Sequence, residues 1–412
     1  METSYPVVII GGGLAGLSCA RYLHKRGLQP VLLEASDAVG GRVRTDVVEG
    51  FRLDRGFQIL LTAYPEAERL LDYPALRLQA FRSGAAIRYQ DRFVEMMNPL
   101  REPLSALSTL TAPVGSLADK LRIVQLLRDV QSVTHTEDFF RGPATDTLEY
   151  LRAYGWSDRM ISTFFEPFFG GVFLENELST SSHFFRFVFK QFYSGDAALP
   201  AGGMQAIPEQ LAAALPPGTL RLNTPVTAID GTTVTLANGE TLTAQHLVLA
   251  TDAATADRLL GETPARTYNV TTCTYFAAGR SPLPKKLLML NPNRLSPVHH
   301  LSVPSDVAPT YAPEGQALVS VSTQGVELAN AKKLADDIRQ ELTGWFGEEV
   351  RQWRHLRTYH LPEALVHYGP EKGPLPLRLA EGLYRCGDYT AYPSLNAALQ
   401  TGRQVAEMIG ER

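Results

Sequence analysis

Apolar residues fall along the chain in two rhythms. Val7-Val8-Ile9-Ile10 is an unbroken apolar run, the pattern of a strand buried on both faces, and it leads into Gly11-Gly12-Gly13. After the glycines, Leu17, Ala20, Tyr22 and Leu23 recur at helical spacing up to Gly27, and Val31-Leu32-Leu33 follows as a second apolar strand. The spacing predicts a strand-helix-strand unit with parallel strands and a right-handed connection. Further on, Leu222 to Ile229 and Thr233 to Leu236 alternate apolar and polar residues, Asn238-Gly239 supplies a tight turn, and Thr241 to Ala250 returns as a strand. Near the end, Leu383 to Cys386 reads as one more strand. A helix follows, with Leu395, Ala398, Leu399, Gly402, Val405, Ala406 and Ile409 at helical spacing.

Two long insertions separate these pieces. The first reads mostly helical, including Leu117 to Val130 and an aromatic stretch from Phe164 to Phe192. The second carries strands over Val270 to Ala277 and Ala317 to Ser322, then a helix from Ala329 to Phe346. The expected architecture is α/β: a nucleotide-binding domain assembled from residues 1–61, 199–264 and 376–412, with a second, discontinuous α+β domain from residues 62–198 and 265–375.

Composition narrows the class. The chain has 412 residues, with 39 Lys+Arg against 43 Asp+Glu, a net charge of −4 that argues against nucleic acid as a partner. At 44% hydrophobic it can bury two cooperating cores. Cys19, Cys273 and Cys386 are odd in number and far apart, fitting neither a disulfide framework nor a zinc site, so a reducing, cytoplasmic setting is expected. The N-terminus carries an acid, and glycines break the apolar run after it, so neither a signal peptide nor a membrane span is expected there. His299-His300 could suggest a metal, but neighbours on a strand face opposite ways and no Cys or His cluster completes a site; an exposed strand pair and no metal is the expectation.

The chemistry begins at the glycines. Gly11, Gly13 and Gly16 satisfy G-x-G-x-x-G between a strand and a helix: Gly11 permits the turn, Gly13 lets the backbone approach a pyrophosphate, and Gly16 allows close packing of helix on strand. Glu34 ends the second strand about 20 residues on, where an acid accepts hydrogen bonds from a ribose. Together these features predict dinucleotide binding, with FAD and NAD both open.

Seven residues past Glu34 comes Gly40-Gly41-Arg42-Val43-Arg44-Thr45, and the run from Gly11 to Thr45 resembles the start of the FAD-dependent amine oxidase, protoporphyrinogen oxidase and phytoene desaturase superfamily. Further stretches resemble that superfamily in order: Asp54-Arg55-Gly56-Phe57-Gln58, Leu199-Pro-Ala-Gly-Gly-Met204, Thr224-Pro-Val-Thr227, Ala250-Thr-Asp252, and Cys386-Gly-Asp388 with Asn396-Ala-Ala398. The resemblance implies an FAD-binding Rossmann-like domain and non-covalent FAD. It implies cofactor contacts from Gly11, Gly13, Leu14, Ala15, Gly16, Glu34 and Ala35, then from Gly41, Arg42, Gly56, Phe57 and Gln58. Val226, Ala250, Gly387, Asp388, Leu395, Asn396 and Ala397 would complete the set. A guanidinium fork suits phosphate oxygens, and the N-terminus of the last helix would favour negative charge on a reduced ring.

The substrate is less defined. Relatives among the amine oxidases place a lysine in the central sheet, whereas Tyr268 to Tyr275 contains none, and Ser394 falls where they carry a tyrosine, with Tyr389 and Tyr392 nearby. Ten of the 18 phenylalanines lie between Phe164 and Phe192, the lining an apolar tunnel would use, although most are expected to pack in a core. No second G-x-G-x-x-G appears, so electrons must leave to oxygen, a quinone or another external acceptor. The expectation is an FAD-dependent oxidoreductase that dehydrogenates a small hydrophobic, isoprenoid-like or porphyrinogen-like substrate; no catalytic side chain stands out. The alternatives are a flavin amine oxidase and a non-catalytic isoprenoid-binding escort protein of the same fold. Leu121, Ile123, Val124, Leu127 and Val130 give the helix from Leu117 an apolar face compatible with peripheral membrane contact, or with packing on a core, which is favoured.

Overall fold

A computed structural model describes residues 3–99, 101–264, 266–325 and 330–410. Its larger sheet is built around Thr3–Ile10, whose Val7, Val8, Ile9 and Ile10 are all buried, as a parallel strand covered on both faces requires. Pro30–Leu33 pairs with it in parallel on one side, followed by Leu220–Arg221; Thr241–Leu249 pairs in parallel on the other. Thr241–Leu249 is shared by two neighbours. Its first residues pair with Thr233–Leu236 of an antiparallel meander, while Leu247, Val248 and Leu249 pair in parallel with Leu383–Arg385. The meander's first strand is Val226–Asp230; it does not reach back to Leu222, because Asn223 takes a left-handed φ of 50° and Pro225 cannot donate to a ladder.

The helix after the glycines, Leu14–Lys25, packs against the closing helix, Leu395–Gly410. Contact is close at Gly402, where a Cβ would lie 2.2 Å from the Ala15 carbonyl oxygen, and the Ser18 hydroxyl donates to the Leu399 carbonyl at 2.7 Å.

The second sheet has seven strands in the order Arg354–Val366, Tyr268–Ala278, Ala317–Gln324, His300–Ser302, Leu288–Leu290, Gly84–Tyr89 and Arg92–Met97. The last two form a hairpin inside a stretch expected to be mostly helical, and its turn uses Gln90 at φ 54° in place of a glycine. Ala331–Phe346 covers one face through Leu334, Ile338 and Leu342; Ala329, where this helix was expected to begin, lies outside the described residues. The remaining helices include Leu117–Gln131, Thr147–Ala153, Glu166–Phe173 and Ser182–Ser194, with a π-type turn over Ile161–Phe165. Among the described residues no helix is long and apolar enough to cross a membrane.

Two expectations need correcting. His299 and His300 are buried, not exposed, and their rings touch at 4.5 Å, because His299 precedes the strand and is free of its alternation. The helix from Leu117 divides its apolar residues: Leu126, Leu127 and Val130 pack inward, while Leu121 is 64% and Val124 45% exposed.

Candidate active site

A cavity of about 1330 Å³ runs from the glycine turn of the larger sheet to the phenylalanines of the helical insertion. That exceeds the roughly 300–1,000 Å³ of ordinary ligand pockets and leaves room for two occupants. At one end Gly11, with φ 110°, turns so tightly that a Cβ would lie 2.6 Å from the Ala250 carbonyl oxygen. Gly13 has open space where its Cβ would be, and helix Leu14–Lys25 begins directly after it without a side-chain cap. Its first N–H groups therefore present partial positive charge to the cavity wall. Glu34 accepts from the Gly12 N–H at 2.6 Å and from the Ser36 N–H at 2.8 Å, which fixes the carboxylate at the cavity edge.

The second glycine turn lies against the first: Gly41, at φ 58°, would set a Cβ 3.6 Å from the Gly13 Cα. Arg42 donates to Asp388 at 2.6 Å, tying this turn to the chain's last segment, and Gln58 donates to the Arg42 carbonyl at 2.9 Å. Arg44 turns aside to Asp37 at 3.1 Å.

Beneath these loops Asp54 is buried and accepts from the Thr45 hydroxyl at 2.6 Å, the Met204 N–H at 3.0 Å and the Tyr311 hydroxyl at 2.8 Å. Burial pushes its carboxyl up to about 6 despite those three donors. Asp54 fastens the Gly202-Gly203-Met204 turn to the strand Phe51–Asp54, a role that the motif alone did not disclose.

Sixteen of the residues expected to contact a cofactor line this cavity: Gly11, Gly13, Leu14, Ala15, Glu34 and Ala35; Gly41, Arg42, Gly56, Phe57 and Gln58; Val226, Ala250, Gly387, Asp388 and Leu395. Three do not. Gly16 packs beneath the turn, where a Cβ would meet the Gly11 carbonyl oxygen at 2.0 Å. Asn396 faces inward, accepting from the Glu66 N–H at 2.9 Å and donating to the Tyr392 hydroxyl at 2.8 Å. Ala397 is fully buried, and the Ser394 hydroxyl accepts its N–H at 3.0 Å.

The other end of the cavity is apolar. Phe164, Phe168, Phe169, Phe184, Phe189 and Phe192 line it, whereas Phe165, Phe173, Phe185 and Phe187 pack in the core behind. The second sheet closes this chamber with Thr271, Leu288, His300 and Ser322, residues that no sequence pattern singled out for it. Tyr389 and Tyr392 are absent from the lining: both are buried, and Tyr392 stacks on Phe140 at 4.4 Å. Among the described residues the one lysine on the cavity wall is Lys120, which donates to the Leu110 and Ala112 carbonyls.

A dinucleotide cradle joined to an apolar chamber defines a nucleotide-dependent fold whose second compartment is built for another molecule. Residues 14–410 match the family model of the flavin containing amine oxidoreductases, and the chain belongs to that family, whose cofactor is FAD. Over 167 residues, 40% of this chain, it is 28% identical to protoporphyrinogen oxidase 2 of Arabidopsis thaliana. Over 70 residues it is 40% identical to the 15-cis-phytoene desaturase of Narcissus pseudonarcissus. These matches span 32% and 12% of the two relatives. The fold is that of the cyclohexylamine oxidase from Brevibacterium oxydans, with a TM-score of 0.72 at 16% identity over 99% of both chains. Putrescine oxidase bound to putrescine superposes with a TM-score of 0.74 at 15% identity over the whole of both chains. The residues present fit FAD: the space left open at Gly13, the fixed Glu34 carboxylate and the Arg42 fork are what a diphosphate and a ribose require.

Proposed function

We propose that the chain is an FAD-dependent oxidoreductase that dehydrogenates a small hydrophobic substrate of isoprenoid-like or porphyrinogen-like character. One observation carries this reading: the cavity is continuous from the dinucleotide cradle to the phenylalanine chamber. In it Gly11, Gly13, Leu14 and Ala15 bind the pyrophosphate, Glu34 and Ala35 the adenosine ribose, and Thr224, Pro225 and Val226 the adenine. Arg42 with Asp388 holds the middle of the cofactor. Bound FAD supplies an acceptor for two electrons and a hydrogen.

The chain's own residues supply surroundings. The six phenylalanines exclude water and orient an apolar substrate by shape. The first turn of helix Leu395–Gly410 contributes partial positive charge where Leu395 meets the cavity. Hydride removal from carbon needs positioning more than a strong base, which suits a chamber whose lining carboxylate at that end, Asp196, is held in an ion pair with Arg101. Electrons leave to an external acceptor, oxygen or a quinone.

An amine oxidase reading is weaker. Around the apolar end Arg82 is paired with Glu102 and Arg101 with Asp196, while Lys120 and Arg128 have no carboxylate in an ion pair among the described residues, a balance that does not favour a cationic amine. The escort reading, without redox chemistry, ranks last because the whole FAD constellation is kept. Anaerobic visible spectra of the purified protein test all three. Bleaching by polyene or porphyrinogen-type compounds and not by amines is expected; bleaching by amines alone would overturn the proposal, and failure to take up FAD would revive the escort.

A second reading concerns location. Leu104, Leu107, Leu110, Leu117, Leu121 and Val124 are exposed, and Leu110, Leu121 and Val124 also line the cavity. This apolar rim supports peripheral contact with a membrane surface from which an apolar substrate could enter. Co-sedimentation with lipid vesicles, lost on changing Leu117 and Leu121 to Glu, is the expected outcome.

A further inference from the structure

Among the described residues the cavity wall carries one imidazole, and the proposed chemistry does not use it. His300 sits on the short strand His300–Ser302 and is 4% exposed, yet it belongs to the cavity wall among Phe168, Phe169 and Leu288. Its Nε2 lies 2.5 Å from the Pro167 carbonyl oxygen. A carbonyl can only accept, so the proton is on Nε2. Burial pushes the ring down to about 4, so at neutral pH no second proton is present and Nδ1 keeps a lone pair. Nδ1 has no hydrogen-bond partner among the described residues, and it is not among the sealed polar atoms of the interior.

The ring is held there by backbone. A Cβ on Gly171 would fall 1.4 Å from His300 Cε1, so the ring occupies the space that any other residue at 171 would fill. Glu166–Phe173, the helix that supplies Pro167 and Gly171, also supplies Phe168 and Phe169 to the chamber. One helix therefore sets both the apolar wall and the orientation of its acceptor.

We infer that His300 Nδ1 is a substrate-recognition atom, which accepts a hydrogen bond from an O–H or N–H group carried by an otherwise apolar substrate. This rests on the apolar-substrate reading above and narrows it, because a pure hydrocarbon would leave the acceptor unpaired at a cost. Ser322, also on the wall, lies directly opposite His300 across the strand pair and can donate its hydroxyl to a lone pair of such a group.

The test compares two isomers, octan-1-ol, which donates, and 1-methoxyheptane, which cannot. Calorimetric titration of the FAD-loaded protein should show the alcohol bound roughly tenfold more tightly, and His300→Phe should bring the two affinities together while the ether binds as before. An alcohol preference that survives in His300→Phe overturns the inference, as does equal binding of both isomers by the unaltered protein, which would leave the apolar-substrate reading standing. If neither isomer binds the unaltered protein, both fall. Should His300→Phe not fold, nitrogen NMR of the unaltered protein decides: the Nδ1 resonance must be that of an unprotonated nitrogen and must move with octan-1-ol and not with the ether. A protonated or unmoved Nδ1 overturns the assignment.

Discussion

The two ends of the cavity are made of different material. The dinucleotide end is mostly backbone: Gly11, Gly13 and Gly41 leave room, helix Leu14–Lys25 points its first N–H groups inward, and side chains enter at Glu34, Arg42 and Asp388. The apolar end is almost all side chain, with six phenylalanines from two helices and the π-type turn, closed by Thr271, Leu288, His300 and Ser322 from four strands. Backbone recognition demands particular residues at particular spacings. A greasy wall demands only volume, and many sequences supply it.

That contrast can be broken at the cradle first. Gly11→Ala sets a Cβ 2.6 Å from the Ala250 oxygen at a φ of 110°, a cost of about 3 kcal/mol or more, so FAD content of the purified protein should fall to near zero. Retained FAD would mean the turn can relax. Next comes Asp54, whose folded-state carboxyl, raised from 3.8 to about 6, favours the folded protein fully below pH 4 and loses that contribution as pH rises to 6. Asp54→Asn has no such loss. Its stability relative to the unaltered protein should therefore climb by about 3 kcal/mol between pH 3 and 7 in denaturant titrations, and a flat difference would show that Asp54 titrates normally.

Arg42→Ala removes a charge-assisted bond of 2.6 Å to Asp388 and should weaken FAD binding by about 2 kcal/mol, some thirtyfold, with apolar ligands bound as before once FAD is restored. Smallest is Phe192→Ala in the chamber, where Phe192 packs edge-on against Phe168 at 5.1 Å. Apolar ligands should lose about 1 kcal/mol, roughly fivefold, while FAD content stays constant. If FAD were lost instead, the two ends would not be separable.

The same division explains what could be read in the chain. The βαβ unit, the Asn238-Gly239 hairpin and the closing helix follow from local patterns, and the structure has them at Thr3–Leu33, Thr233–Leu249 and Leu395–Gly410. The hairpin Gly84–Tyr89 and Arg92–Met97 was hidden because its turn places Gln90 in the left-handed region without a glycine to announce it. Asn396 sits inside a motif segment yet turns to Glu66 and Tyr392, since helical period decides which residues of a run face the ligand. His300 was legible only as half of a pair. Its neighbours in the chamber come from Pro167 and Gly171, more than a hundred residues away, and no local pattern records such a meeting.

The bond between Arg42 and Asp388 joins residues 346 positions apart. After the glycine turn a ribosome must add several hundred residues before Asp388 and the opposite wall of the cradle exist. At about 5–20 residues per second that is tens of seconds in which the first βαβ unit waits beside a half-built sheet, its apolar strand edges unpaired. Cofactor capture at this cradle therefore waits on residues from both ends of a long separation, and a ligand that binds only the completed site stabilises the folded chain by mass action once they have met.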